Sequence, residues 1–164
     1  MENLFHRRSI RKYMDKPVEK EKITAILKAA MAAPSACNQQ PWRFCVVTDK
    51  TKIAQLAAVS KYSAFAKDAP VIIVPLFRCD CLVPKYAPID LSASTENLLI
   101  EVDAQGLGGV WMGVYPRPER AKKIQQILSL SKKEIPFAMV ALGYPAEEKE
   151  PEERYRDEWV KWVE

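Results

Sequence analysis

The chain has 164 residues, a length that makes one domain able to bury a core without disulfide or metal staples. Hydrophobic residues are 48% and charged residues 28% of the total, which excludes intrinsic disorder for most of the chain, and a net charge of +4 is too mild for a nucleic-acid binder while suiting small anionic ligands. No apolar run reaches the ~18 residues of a membrane span, and Met1 to Arg8 lacks the apolar stretch of a secretory leader, so a cytoplasmic location with no membrane partner is expected, with Cys37, Cys45, Cys79 and Cys81 as free thiols.

In chain order, residues 19–33 form the first predicted helix: Ile23, Ile26, Leu27, Ala30 and Met31 recur at the spacing of one buried face, between Pro17 and Pro34. Residues 43–48 read as a strand and 50–60 as a helix with Ile53, Leu56 and Ala57 in register. Val71-Ile72-Ile73-Val74 is wholly apolar, as a strand covered on both faces should be. The longest predicted helix runs from Ile89 to Gln105, with so wide an apolar arc that it should be central, and Gly106 stops it. Val110 to Tyr115 reads as a strand, Pro118 to Leu128 as a helix opened by its proline, and Phe137 to Leu142 as a last strand. Alternating helices and strands put a sheet between helical layers. Residues 145–164 are highly charged yet carry Tyr155, Trp159 and Trp162, which predicts an arm that docks on its own domain or on a second subunit.

Five segments have residue types suited to ligand chemistry, each with an ordinary structural alternative. Arg7, Arg8, Ser9 and Arg11 supply guanidinium forks and a hydroxyl that match a phosphate, or form an exposed basic stretch. Pro34, Ser35, Ala36, Asn38 and Gln40 place short polar groups on a proline-fixed loop, or make a tight turn before Trp42. Gly106-Leu107-Gly108-Gly109 follows a helix and precedes a strand, the reverse of a dinucleotide-binding loop, and is read as helix termination. Trp111, Met112 and Gly113 offer an unobstructed backbone for a flat ring, or a core tryptophan beside a strand glycine. Arg154 and Arg156 are late basic residues, or solvated surface charge. His6 is the sole histidine, and there is no triad, Walker motif or metal-ligand spacing, so a bound cofactor would have to supply any hard chemistry.

Taken together and in order, these motifs resemble the FMN-dependent nitroreductase family: Arg7 to Tyr13, Ala33 to Trp42, Asp90 to Gly109 with Glu96-Asn97-Leu98-Leu99, Val110 to Gly113, and Leu142 to Pro145. The resemblance spans essentially all of residues 1–164 as a single FMN-binding domain. It implies an α+β sandwich with a mixed, mainly antiparallel sheet between helices, a homodimer with the C-terminal arm exchanged onto the partner, and two FMN sites at the seam. By the same resemblance Arg7, Arg8, Ser9 and Arg11 hold the phosphate and the pyrimidine edge of the ring. Pro34, Ser35, Ala36, Asn38 and Gln40 come from the partner, Trp111, Met112 and Gly113 lie along the ring, and Arg154 and Arg156 meet the phosphate. The chain departs from longer family members between Arg78 and Pro88, where there is little room for substrate-covering helices, and at residues 61–63, where no amide side chain stands for the ring's polar edge.

The expected activity is NAD(P)H oxidation coupled through FMN to small electron-poor acceptors such as nitroaromatics or quinones, by ping-pong hydride transfer through flavin N5. No side chain is catalytic in this reading; Arg11 supplies a supporting charge near N1–O2. The alternatives are a flavin-storage protein with little turnover and a basic module binding a polyanion. Cys37, in the loop that would face the flavin, reads as a small packing residue or as a reactive thiol.

Overall fold

A computed structural model describes residues 2–164. A five-stranded sheet is sandwiched between two helical layers. In chain order the elements are α1 (Glu2–His6), α2 (Lys20–Met31), β1 (Trp42–Val47), α3 (Lys50–Ala57), β2 (Val71–Arg78), α4 (Ala87–Ala104), β3 (Gly108–Gly113), α5 (Pro118–Leu128), β4 (Glu134–Pro136) and β5 (Ala138–Gly143). The strand order is β1-β2-β5-β3, with β4 continuing the ladder on β2, and every pairing between these strands is antiparallel. A parallel bridge from Ser9 to Gly109 adds the N-terminal segment to the outer edge of β3 and makes the sheet mixed.

The period of two along each strand assigns every side chain to a layer. Ile72, Val74 and Leu76 of β2, with Met139 and Ala141 of β5, meet Ile53 and Leu56 of α3 and Ile124 of α5 on one face. Val71 and Ile73, with Val140 and Leu142, meet Ile23 and Ile26 of α2 and Leu98, Leu99 and Val102 of α4 on the other. Both central strands are therefore buried on both faces, as their unbroken apolar runs require. Each fully buried Leu or Ile of these clusters contributes about 1.5–3 kcal/mol relative to exposure.

The predicted helices and strands are all present, α5 at its predicted bounds and the others with shifted ends. β2 runs four residues further than the apolar tetrad, through Pro75. Proline is tolerated there because β2 changes neighbours at that point, from β5 at residues 71–73 to β4 at residues 76–78, and the Pro75 carbonyl accepts the Phe137 N–H at 2.9 Å. α4 ends at Ala104 and Gly106 adopts φ 70° just beyond, the left-handed stop expected of it. Gly108 and Gly109, read as part of that termination, instead open β3: a Cβ on Gly108 would come within 2.7 Å of the Ile10 side chain, so glycine lets the N-terminal segment lie against the strand.

Candidate functional site

The N-terminal segment reaches β3 through the Ile10 N–H donating to the Gly109 carbonyl at 3.1 Å. The chain leaving β5 laces onto the same segment. The Met14 N–H donates to the Tyr144 carbonyl (2.9 Å), the Ala146 N–H to the Lys12 carbonyl (2.9 Å), and Lys149 Nζ to the Ser9 carbonyl (2.6 Å). The Glu147 carboxylate accepts the Arg11 backbone N–H at 2.6 Å and sits 3.4 Å from Lys149 Nζ; the Arg11 N–H, more than the Lys149 ammonium, holds this carboxyl below the usual range.

That lacing brings residues from both ends of the chain together. Arg7, Arg8, Ser9, Arg11, Lys149 and Arg154 line one concavity. Arg8 Nη1 and Arg154 Nη2 each donate to Glu152 Oε2 at 2.7 Å, and the two guanidiniums, Arg154 first, pull the Glu152 carboxyl down to about 2. Arg7 lies 3.8 Å from Glu96 of α4. Arg156 is not in this group: it is exposed and donates to the Tyr155 carbonyl beside it.

Beside the cations runs the outer edge of β3. Because Gly109 turns its carbonyl to Ile10, the alternation of an antiparallel ladder also turns the peptide groups of Trp111 and Gly113 away from β5. Side chains alternate separately: Met112 enters the core beneath, whereas Trp111 packs edge-on against Phe137 at 5.5 Å on the opposite face. A cleft of about 190 Å³ lies along this edge, its walls including Arg11, Ser60, Tyr62, Trp111, Gly113 and Arg120. A Cβ on Gly113 would meet nothing within 4 Å. Glycine at 113 is thus unexplained by packing within the chain, and it leaves the strand edge clear for a flat group to approach.

The loop before β1 is held in a costly conformation. Cys37, Asn38 and Gln40 have φ of 51°, 50° and 45°, a left-handed region that non-glycine residues enter at about 1–3 kcal/mol each. The surrounding structure over-determines the loop. Buried Asp90 of α4 accepts the Ala36 N–H (2.9 Å) and Gln39 Nε2 (2.6 Å), Gln39 Oε1 accepts the Val83 N–H (2.7 Å), and Ser35 Oγ accepts the Gln40 N–H (3.0 Å). Pro34, Asn38 and Gln40 face outward, and Ser35 and Ala36 are half-buried. These five residues do not line the cleft beside β3 within one chain. Cys37 is exposed within one chain, and all four cysteines are free.

The Nitroreductase family model matches residues 4–70 and 55–144, most of the chain. This chain belongs to the nitroreductase family. A provisionally named NADH dehydrogenase/NAD(P)H nitroreductase of Methanothermobacter thermautotrophicus is 41% identical over 150 residues, covering 90% of this chain and 78% of the relative. A solved Parabacteroides distasonis protein of the same provisional name superposes with a TM-score of 0.94 at 34% identity, covering 98% of this chain and 95% of that one. An FMN-dependent nitroreductase of Clostridium difficile R20291 superposes at 0.86 with 33% identity, covering 98% and 94%.

Several residues that line or brace the cradle and the cleft carry no signal in the sequence. Lys149, Glu147 and Glu152 sit among the charges of the arm, and nothing local marks them as partners of residues 8–11. Arg120 is one of three cations on α5, with Lys122 and Lys123. Asp90 did leave a signal: it is an acid within the buried stripe of α4, between Ala87 and Leu91, where a carboxylate must have partners. No helix among the described residues is long and apolar enough to cross a membrane.

Proposed function

We propose that this protein is an FMN-dependent NAD(P)H oxidoreductase that reduces small electron-poor acceptors such as nitroaromatics or quinones. It acts in the cytoplasm as a homodimer whose C-terminal arm crosses onto the partner. The observation that carries this reading is the convergence of Arg7, Arg8, Ser9, Arg11 and Arg154 beside the open β3 edge at Gly113, a cationic cradle next to a surface cleared for a planar ring. The FMN-dependent relative supports the choice of ring, and the NAD(P)H-linked relative the choice of reductant.

In this reading the flavin phosphate sits in the cradle of Arg7, Arg8, Ser9, Arg11 and Arg154, where guanidinium forks match its oxygens. Arg156 joins the phosphate only when the arm is seated on a partner. Trp111, Met112 and Gly113 lie along the ring, with the outward Trp111 and Gly113 peptide groups providing fixed backbone partners. Pro34, Ser35, Ala36, Asn38 and Gln40 of the partner subunit close the other side. Their strained loop is held by the Asp90–Gln39 bonds, so its polar groups require no reorganisation when a ligand arrives. When bound, FMN supplies hydride transfer through N5, from NAD(P)H and then to the acceptor in two ping-pong half-reactions. Arg11 places a fixed positive charge near the N1–O2 edge, where negative charge develops on reduction.

The test is purification, reconstitution with FMN, and anaerobic addition of NAD(P)H followed by a quinone or nitroaromatic. Yellow protein that bleaches and recovers supports the reading. Yellow protein that does not bleach makes it a flavin-storage protein instead, and colourless protein after excess FMN sinks it.

A further inference from the structure

The cleft along β3 contains a cation that the family resemblance did not supply. Arg120, half-buried in the first turns of α5, donates from Nη1 to the Gly113 carbonyl at 2.9 Å and lines the cleft with Arg11. Among the described residues no aspartate or glutamate lines that cleft. Arg7, Arg8, Arg78 and Arg154 have carboxylate partners within 4 Å; among the described residues Arg11, Arg43, Arg117, Arg120 and Arg156 have none, and of these only Arg11 and Arg120 line the cleft. Two uncompensated guanidiniums therefore face the same space. One is tied to the backbone of the very residue that leaves the strand edge clear.

We propose that Arg120 is a second pocket cation, acting with Arg11 to favour the reduced over the oxidised flavin; this rests on the functional reading above. A hydride from the nicotinamide carries two electrons and one proton. The nicotinamide leaves oxidised, and the ring gains one unit of negative charge. When the acceptor takes the hydride the ring returns to neutral, and solvent supplies the acceptor's second proton. A positive charge fixed at the cleft stabilises the charged member of this cycle and leaves the neutral one almost unaffected. The hydrogen bond to Gly113 keeps that charge in place, so little reorganisation accompanies reduction.

The experiment is a reductive titration of FMN-loaded protein against a reference dye, for the wild type, Arg120→Gln and Arg120→Lys. Glutamine retains a donor for the Gly113 carbonyl without the charge; lysine retains the charge. The expected result is a preference for reduced over oxidised flavin lowered about tenfold in Arg120→Gln, or about 30 mV for a two-electron couple, and within about twofold of wild type in Arg120→Lys. Arg117→Gln, at an exposed position ahead of the same helix, should leave the potential unchanged. An unchanged potential in flavin-loaded Arg120→Gln overturns the proposal. So do equal falls in the glutamine and lysine variants, which would leave Arg120 only its clamp on Gly113. A wild-type protein that takes up no FMN overturns both readings, and its missing colour identifies the functional one as the point of failure.

Discussion

Strands β2 and β5 and the C-terminal arm all have large apolar residues, placed in opposite circumstances. Val71 to Leu76 and Ala138 to Leu142 are buried on both faces by helices of their own chain. Residues 151–164 are exposed throughout, with Trp159 at 79%, Trp162 at 81% and Val163 at 85% of their full accessibility. The first region is explained by its own chain, and the second is not. The glycines divide the same way: Gly143 is pressed against Pro70, where a Cβ would come within 2.6 Å, whereas a Cβ on Gly113 would meet nothing within 4 Å among the described residues. Residues that one chain leaves unexplained are the ones on which a second chain or a ligand is expected to act.

Deleting residues 151–164 is the largest test of this contrast. The globular part should keep its fold, because none of its core residues lies in the arm. Sedimentation should show loss of the dimer, and dialysis should strip its FMN. A truncated protein that stays dimeric and yellow would show that the arm serves neither purpose.

Within the core, Leu98→Ala should cost about 2–5 kcal/mol in denaturant unfolding, since Leu98 is fully buried between α2 and the sheet and its truncation leaves a cavity. A cost under ~1 kcal/mol would contradict the packing described.

Much of this contrast was legible in the sequence, and what was not has a consistent cause. α5 was read at both ends, Pro118 and Leu128, because proline at the first turn and the apolar spacing are local signals. The arginines at residues 7, 8 and 11 announced themselves as a cluster for the same reason. The start of β3 was placed two residues late because Gly108 and Gly109 look like a helix stop. Their actual partners, Ile10 and Ser9, are about a hundred residues away in sequence. The extension of β2 through Pro75 was hidden likewise, since only the switch from β5 to β4 makes a proline acceptable there. Lys149, Glu152 and Arg120 take their roles from tertiary contacts that no spacing rule encodes.

A substitution at Gly113 separates ligand from packing more finely. Gly113→Ala should leave unfolding of the flavin-free protein within ~0.5 kcal/mol of wild type, as ordinary surface changes do. Its FMN affinity, read by fluorescence quenching, should fall about tenfold, the ~1.4 kcal/mol of a modest steric misfit. Loss of stability with affinity intact would assign Gly113 to the fold.

The smallest expected effect is electrostatic. Glu152 is held at about 2 by Arg154 and Arg8, below its ordinary value of 4.5. The stability it confers is present above ~4.5 and is lost as pH falls toward ~2. Wild type should therefore melt slightly above Glu152→Gln at neutral pH and low salt, and the gap should close on acidification and with added salt. A gap that persists at pH 2 would mean the carboxylate's charge is not what joins the two arginines.

On the proposed reading each FMN is held between two chains, two to a dimer, its phosphate in the cradle of Arg7, Arg8, Arg11 and Arg154 beside β3. Sedimentation of the reconstituted protein, followed at the visible absorbance of flavin, tests it most directly. The account predicts that all bound flavin travels with a two-chain species, one FMN per chain; flavin travelling with a single chain, or with neither, would contradict it.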